Sequence, residues 1–461
     1  MKSRLLMGAL VALTCMFGQY GFQNIAGAEE LTTAEQEAIN KAVDQRVQEL
    51  MRGGGSATQM DGEPVSPTAR NVRDLGTYFG KSQKPNSAMQ GSGGLIYARP
   101  FVSSPKAIVG GYMDIEYFNR KNQGNSKFDQ HHLVPFIYAD VSDRVKIAAE
   151  IEFEHGNELT VEFATIDYLI QEPINLRAGI ILVPMGKFNL LHDAPLRDLT
   201  ERPIVDQRIL PSTLHQPGVG AYGTFYPSAL SKLDYEFYVL NGFTNAFGGE
   251  DNPNNTSNIN QTNGLRSARS SSTEFDNNNG KSVTGRIAFS PVLGVEVGGS
   301  GFYGNYGTRK GDNLAIVALD WTFQRGPFEL IGESAWSHIG NNDKNQDGTK
   351  NGNPEKMQGY YIQGNYHFLP EWLSNMAPSF FKKEVSTFTA VVRWEETELG
   401  KDLNGGARKT GEWQRWTFGL NFRPTEDSVF KTDFQYTPVG LDDKGNRIHD
   451  TAFVASWATY F

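Results

Sequence analysis

Val145-Lys-Ile-Ala-Ala-Glu-Ile-Glu-Phe-Glu154 decides the fold. In an extended chain Val145, Ile147, Ala149, Ile151 and Phe153 fall on one face, and Lys146, Glu150, Glu152 and Glu154 fall on the other. One face is therefore greasy and the opposite face is charged. A tilted β-strand of this length can cross a hydrocarbon layer, showing its apolar side to lipid.

The same period holds from Ile108 to the last residue. Ala315, Val317, Leu319, Trp321 and Phe323 oppose Asp320, Thr322 and Gln324; Phe388, Ala390, Val392 and Trp394 oppose Arg393 and Glu395; Trp416, Phe418, Leu420 and Phe422 oppose Arg415, Asn421 and Arg423. Strands are expected near 108–120, 131–143, 144–156, 158–170, 175–189, 218–227, 233–243, 281–291, 293–306, 312–326, 328–340, 357–370, 386–399, 413–425, 428–439 and 450–461. That is about sixteen strands, joined alternately by tight turns and by long polar loops, the asymmetry of an antiparallel transmembrane β-barrel with both ends in the periplasm. The 371–385 connection, with Trp372, Phe380, Phe381, Lys382 and Lys383, is longer than this rule wants, and a strand pair hidden there would change the count. Aromatic residues at the two interfaces are expected from Trp321, Phe323, Trp394, Trp416, Phe422, Tyr436 and Trp457.

Between two alternating segments lies Leu190-Leu-His-Asp-Ala-Pro-Leu-Arg-Asp-Leu-Thr-Glu-Arg-Pro-Ile-Val-Asp-Gln-Arg-Ile-Leu-Pro-Ser-Thr-Leu-His-Gln-Pro217. A loop of this length inside a compact fold usually has a function of its own. Residues 190–217 are read as a loop folded inward to constrict the barrel. Its charged candidates are His192, Asp193, Arg197, Asp198, Glu201, Arg202, Asp206 and Arg208, whose mixed signs suit either a transverse field or ion pairs that hold the loop to the wall.

Residues 1–28 read as an export signal: Lys2 and Arg4 precede the apolar Leu5–Phe17, and Ala26-Gly27-Ala28 forms a cleavage site. Cys15, the one cysteine, falls within that signal, which excludes cysteine-based zinc, haem-attachment or iron–sulfur chemistry from the mature chain. The formal charge is -9, and loss of Lys2 and Arg4 with an acid-free signal makes the mature chain more acidic, which argues against nucleic acid as a partner. No apolar run beyond the signal approaches the ~20 residues of a membrane helix. A mean hydropathy of -0.45 looks soluble, but a barrel strand dilutes its lipid-facing half with its lumen-facing half. Residues 29–52 carry a periplasmic helix: Thr32 and Glu35 form a capping box, Ile39, Val43, Val47 and Leu50 a stripe, and Gly53 a stop. That stripe needs a partner, either sister helices in a trimeric coil or the cell wall. Residues 53–107 read as a Gly/Ser/Pro-rich linker and 108–461 as the barrel. At the end, Trp457, Tyr460 and Phe461 close an alternating strand on an aromatic residue, resembling the signal read by the barrel-assembly machinery.

Val183-Pro-Met-Gly-Lys-Phe-Asn189, the proline-punctuated loop and Gly218-Val-Gly-Ala-Tyr-Gly-Thr-Phe225 resemble the phosphate-selective porin O and P family. The likeness is specific over 175–227; the N-terminal coil and Ile108-Val-Gly-Gly-Tyr-Met-Asp-Ile115 look similar as well. It implies a sixteen-stranded trimeric outer-membrane barrel whose third extracellular loop enters the lumen. The family's phosphate site needs Arg and Lys concentrated along the channel, and here the residues depart from that pattern.

On the strand register the lumen carries Asp114, Glu116, Asp140, Glu150, Glu152, Glu154, Glu162, Asp234, Glu236, Glu296, Asp320, Glu329, Glu333, Glu395 and Asp433 against Lys146, Arg177, Arg286, Arg393, Arg415, Arg423 and Lys431. Acids outnumber bases roughly two to one, so the pore field should attract cations. Glu150, Glu152, Glu154, Glu162, Arg177, Glu236, Arg393 and Arg415 are the pore-lining candidates.

Other motifs carry less. Gly218-Val-Gly-Ala-Tyr-Gly223 matches a dinucleotide fingerprint but opens no helix. Asp343-Lys-Asn345-Gln-Asp347 has calcium-loop spacing, yet Pro354 stands where a bidentate Glu belongs. His131-His132 lacks a third ligand at useful spacing, so lumen lining is expected and no metal. No cofactor is expected, and no catalytic residue: H-E-x-x-H, G-x-S-x-G and C-x-x-C-H are absent. The sequence thus reads as a passive channel for small hydrophilic solutes and ions, embedded in outer-membrane lipid as a homotrimer. The alternatives are a phosphate or anion-selective porin, and a non-conducting adhesive or structural barrel using the 244–280 loop with Arg266 and Arg269 as its surface.

Overall fold

A computed structural model describes residues 107–121, 126–244, 259–269, 280–307, 309–341, 354–401, 411–441 and 447–461. The signal, the 29–52 helix, the linker up to residue 106, the calcium-like segment 343–353 and most of the 244–280 loop lie outside them. Sixteen antiparallel strands form one closed ring. In chain order they are β1 Ala107–Arg120, β2 Ser126–Asp140, β3 Val145–Glu154, β4 Glu158–Gln171, β5 Ile174–Leu182, β6 His215–Phe225, β7 Lys232–Leu240, β8 Ser282–Ser290, β9 Val295–Asn305, β10 Asn313–Arg325, β11 Phe328–Ile339, β12 Lys356–Phe368, β13 Thr387–Lys401, β14 Glu412–Thr425, β15 Ser428–Leu441 and β16 Arg447–Tyr460.

Each strand pairs with its neighbours in sequence, and β16 pairs with β1 to close the ring. Closure leaves no unpaired strand edge, which is the condition for a sheet to sit in lipid. At the seam Gly111 N–H donates to Phe461 O at 3.1 Å and Phe461 N–H donates back to Gly111 O at 2.9 Å. A side chain at Gly111 would collide with the backbone of Val134 and with the Phe461 ring, so this glycine lets the final residue lie against β1.

The alternation read from the sequence separates the two faces. Ile166, Val317, Leu319, Phe418, Phe434 and Trp457 are exposed on the outside, whereas Asp114, Glu152, Asp320, Arg393 and Asp433 are buried inside. Trp394 and Trp416 face each other across β13 and β14 with ring centroids 4.7 Å apart. The 371–385 connection hides no strand pair. It holds a short helix, Glu371–Met376, with Trp372, Met376 and Phe380 exposed and Phe381 packed on Phe388 and Phe422. Its length serves an aromatic cluster at the barrel's edge.

One expected boundary shifts for local reasons. The strand expected over 175–189 ends at Leu182, because Pro184 has no N–H to give the ladder and Gly186 adopts a φ of 72°. A Cβ at Gly186 would strike the Glu333 carboxylate, so both its conformation and its surroundings demand glycine. Gly218, Gly220 and Gly223 lie within β6, where side chains would meet the backbones of Val239, Phe237 and Pro173. Close strand packing accounts for that triplet.

Candidate functional site

The segment between β5 and β6 lies inside the ring: no residue from 183 to 217 is exposed. Asn189 closes its neck. The Asn189 amide donates to Val183 O at 2.8 Å and Leu214 O at 3.0 Å, and its oxygen accepts from Leu214 N–H at 2.8 Å. Just before it, Lys187 and Phe188 N–H donate to Glu333 at 3.0 and 3.2 Å, which turns the chain inward.

The polar wall then satisfies the loop backbone, as buried backbone groups require. Bases bind carbonyls: Lys431 Nζ donates to Ala194 O (2.9 Å), Arg423 Nη1 to Pro195 O (2.7 Å), Arg393 Nη2 to Glu201 O (2.9 Å) and Arg415 Nη2 to Arg202 O (3.0 Å). Acids bind amides: Asp433 accepts from Thr200 N–H (2.6 Å) and Glu395 from Ile204 N–H (2.7 Å). Asn421 donates to Asp198 O at 3.0 Å, and Asn365 to the Asp198 carboxylate at 2.8 Å. The wall charges are thus engaged with the loop as well as with one another.

Each loop candidate has a definite place. His192 lies 3.2 Å from Glu162, Asp193 accepts from Tyr460 OH at 2.8 Å, and Arg197 donates to Thr200 O at 2.8 Å. Glu201 pairs with Arg120, and Arg415 stands 3.8 Å away. Burial would raise the Glu201 carboxyl, but Arg120 and then Arg415 override it and hold the group at about 2. Arg202 donates to Ser212 O at 2.7 Å. Asp206 belongs to a short helix α1, Ile204–Arg208; burial and then the Glu333 carboxylate push its carboxyl well above the usual range. Arg208 lies 5.3 Å from the Trp413 ring centroid and donates to Asn263 at 3.1 Å.

On the wall, Arg177 grips Asp167 through two hydrogen bonds of 2.7 Å and lies 3.9 Å from Glu236. Arg393 and Arg415 share Glu395, at 2.6 and 3.0 Å. Glu150 and Glu152 are buried on the inner face, with Glu154 half-buried beyond them. Glu162 is the extra residue of a β-bulge: Glu150 pairs with Phe163 and Ile151 with Val161. Below it the parity of β4 flips, so Asp167 turns inward, a carboxylate that strict alternation from Glu162 assigns to the outside.

Polar contacts are not the loop's only hold on the wall. Val205, Ile209, Leu210 and Leu214 join inward-facing Leu314, Ile316, Ala318 and Leu399 in one apolar cluster. Ile259, Leu265 and Ala268 belong to the same cluster, and Leu265 N–H donates to Arg208 O at 2.7 Å. The described part of the 244–280 loop is therefore folded inside, and Arg266 and Arg269 with it. Arg266 donates to Ser212 O at 2.9 Å and Arg269 to Thr213 O at 3.1 Å, beside Arg202 on the same Ser212 carbonyl. Burial, then Arg269 and Arg202, pull the Arg266 guanidinium down to about 9. These two arginines were missed as lumen charges because they sit on a distant loop with no strand period.

His131 and His132 were read as lacking a third ligand. The structure supplies one across the ladder: the ligating atoms of His131, His132 and Glu154 lie within 4.8 Å of one another. Neighbouring strands, not neighbours in sequence, hold the partner. Between the loop and the wall of β10–β14 lies a cavity of about 150 Å³ lined by Lys187, Asp198, Asp320, Glu333, Arg393 and Arg423 among others.

Fold and site together define a transmembrane β-barrel with a long loop docked inside it. No protein-family profile matches the chain. It is similar to an uncharacterized protein of Aquifex aeolicus (strain VF5), 27% identical over 369 residues, covering 75% of this chain and 78% of that one. Among solved structures, the outer membrane channel DcaP of Acinetobacter baumannii aligns with a TM-score of 0.47 and 10% identity over 78% of this chain and 99% of that one. The anion-selective porin from Comamonas acidovorans aligns at 0.45 and 10%, over 77% and 99%. Salmonella typhi OmpF in complex with daunomycin aligns at 0.46 and 12%, over 77% and 97%.

Proposed function

We propose that this chain is an outer-membrane porin: a channel for passive diffusion of small hydrophilic solutes and ions, narrowed by the inward-folded 190–217 loop. The observation that carries the reading is the docking of that loop on a polar inner wall, with bases on its carbonyls and acids on its amides. Barrels of this strand number leave an aqueous lumen unless something occupies it. The loop occupies part of it, so passage runs beside the loop through narrow, charged space. An apolar belt outside and a closed ladder support an outer-membrane location, and the family resemblance with the 29–52 stripe supports a homotrimer.

A second reading, selection for anions such as phosphate, is favoured by one observation. Arg202, Arg266 and Arg269 converge on the carbonyls of residues 212 and 213, a concentration of positive charge beside the loop. Planar-bilayer recording of the purified protein in a salt gradient tests both. Ion conductance with a measurable reversal potential is expected; a barrel that inserts but passes no current overturns the channel, and the sign of the potential separates the two selectivities.

A further inference from the structure

We infer that His131, His132 and Glu154, with Glu152 behind them, form a binding site for one borderline divalent transition cation of the zinc class, at the end of the barrel where β3 turns into β4. This inference does not depend on whether the barrel conducts.

A bulge builds the site. Asp114 pairs with His132 and Glu116 with Asp129, so Gln130 and His131 are crowded against Ile115. Gln130 bridges Asp114 O at 2.8 Å and His132 O at 3.1 Å, fixing the distortion. In a regular strand consecutive histidines would face opposite sides of the sheet; here their rings lie 4.0 Å apart on the inner side.

Two carboxylates back the two rings. His132 Nδ1 lies 2.8 Å from Asp114 Oδ1, which also accepts the His132 backbone N–H, and His131 Nδ1 lies 3.0 Å from Glu116 Oε2. A carboxylate on the far nitrogen is what orients a metal-ligating histidine and raises its basicity. Both Nε2 atoms then turn to Glu154 Oε1, at 3.8 Å from His131 and 3.7 Å from His132, with Glu152 Oε1 3.4 Å from His132. Zinc bonds of about 2.0–2.2 Å at tetrahedral angles place ligand atoms about 3.3 Å apart, so these three separations need to contract by only a few tenths of an ångström.

Two atoms separate this arrangement from an ordinary cluster of ion pairs. His132 Nε2 and Glu152 Oε1, on side chains only 1% and 4% exposed, make no hydrogen bond. Orphaned polar atoms this deeply buried are costly, and a shared cation satisfies both. Arg202 supplies opposing positive charge toward Glu152, Glu162 and Glu154. Asp114, Glu116, Glu152 and Glu154 outweigh it locally. Imidazole nitrogens mixed with carboxylates select zinc-like ions over magnesium, which wants oxygen alone. His131 and Glu154 are about a quarter exposed, and the rim pair His155–Asp129, 2.9 Å apart, stands over His131 with ring centroids at 5.0 Å.

The test is calorimetric titration of Zn(II) into the full-length folded barrel, stripped with chelator in detergent. One site per chain is expected. Glu154→Gln and His131→Gln should each weaken it at least tenfold, Asp114→Asn roughly ten- to a hundredfold as a backing group, and His367→Gln, on β12 with Glu329 3.3 Å away, should leave it unchanged. Heat-modifiable gel mobility checks that each variant is folded. Should His132→Gln fail to assemble, the partly exposed Glu154 and His131 carry the test. Absence of stoichiometric Zn(II) binding, equal binding of Mg(II), or unchanged affinity in both Glu154→Gln and His131→Gln overturns the site.

Discussion

Asn189 binds Leu214 in both directions, its amide donating to Leu214 O at 3.0 Å and its oxygen accepting Leu214 N–H at 2.8 Å. Twenty-five positions apart in sequence, these residues pin the two feet of the loop together inside the ring. Asn189→Ala would leave the buried Leu214 N–H unpaired, at a cost of about 1–3 kcal/mol, while the Leu214 and Val183 carbonyls keep the N–H groups of Val183 and Met185. The barrel ladder should survive it. Single-channel recording is expected to show larger and noisier current than wild type, while gel mobility of the folded form is kept. Unaltered current would mean that the apolar cluster around Val205 and Ile209, and not the neck, holds the loop.

Acid and alkali should act on the loop through different residues. Glu201 is depressed to about 2 by Arg120 and Arg415, so its ionised form stabilises docking above the ordinary carboxylate value of 4.5, and that contribution is lost only as pH falls through about 2. Asp206 is raised by burial and Glu333, so its neutral form stabilises docking at low pH, and that contribution is lost as pH rises through its folded value. Channel current should therefore stay steady on mild acidification and drift upward as pH rises through the Asp206 value. Asp206→Asn, which holds this side chain neutral at every pH, should abolish the upward drift. An identical drift in wild type and variant would place its origin elsewhere.

Much of the barrel is legible in the sequence because period-two alternation and loop parity are local. All sixteen strands follow from them, and Arg393, Arg415, Arg423, Lys431 and Asp433 are buried side chains. What alternation misses is every departure from regular pairing. The bulges at Glu162 and His131 are invisible to a count of two, and they are what turn Asp167 and both histidines inward. Leu314-Ala-Ile-Val-Ala-Leu319 is apolar on both faces, which a water-facing lumen strand would not be. That run carries the signal of the inner apolar cluster, since Leu314, Ile316 and Ala318 pack against the loop and its neighbour.

Assembly depends, we expect, on the seam where Phe461 meets Gly111. Deleting Phe461 removes two backbone hydrogen bonds of the closing pair as well as the terminal aromatic. Surface levels of barrel should drop with synthesis unchanged, measured by outer-membrane fractionation. Gly111→Val, whose side chain meets both the Phe461 ring and the Val134 backbone, should reproduce the defect; normal levels in both variants would discard the seam as an assembly determinant.

Selectivity sets the strand carboxylates against the loop arginines. By count over strand faces the lumen is acidic, which predicts a mild preference for cations. Many of those carboxylates are already matched: Asp320 by Arg286, Glu395 by Arg393 and Arg415, Glu296 by Lys187. A paired charge contributes little to the field along the path. Glu150, Glu152 and Glu154 stand together on β3, and Arg202, Arg266 and Arg269 stand together beside Ser212. These two groups, and not the total, should govern the reversal potential, since charges inside the barrel are screened by salt far less than surface ones. With chelator present to keep divalent cations off the histidines, replacing the three glutamates by Gln should move the reversal potential toward anions. Gln at Arg202, Arg266 and Arg269 should move it toward cations by a comparable amount. A wild-type channel that is strongly anion-selective, with phosphate blocking chloride current at low concentration, would show that the arginines dominate. Reversal potentials indifferent to both sets would place the permeation path away from both groups, along the cavity between the loop and β10–β14.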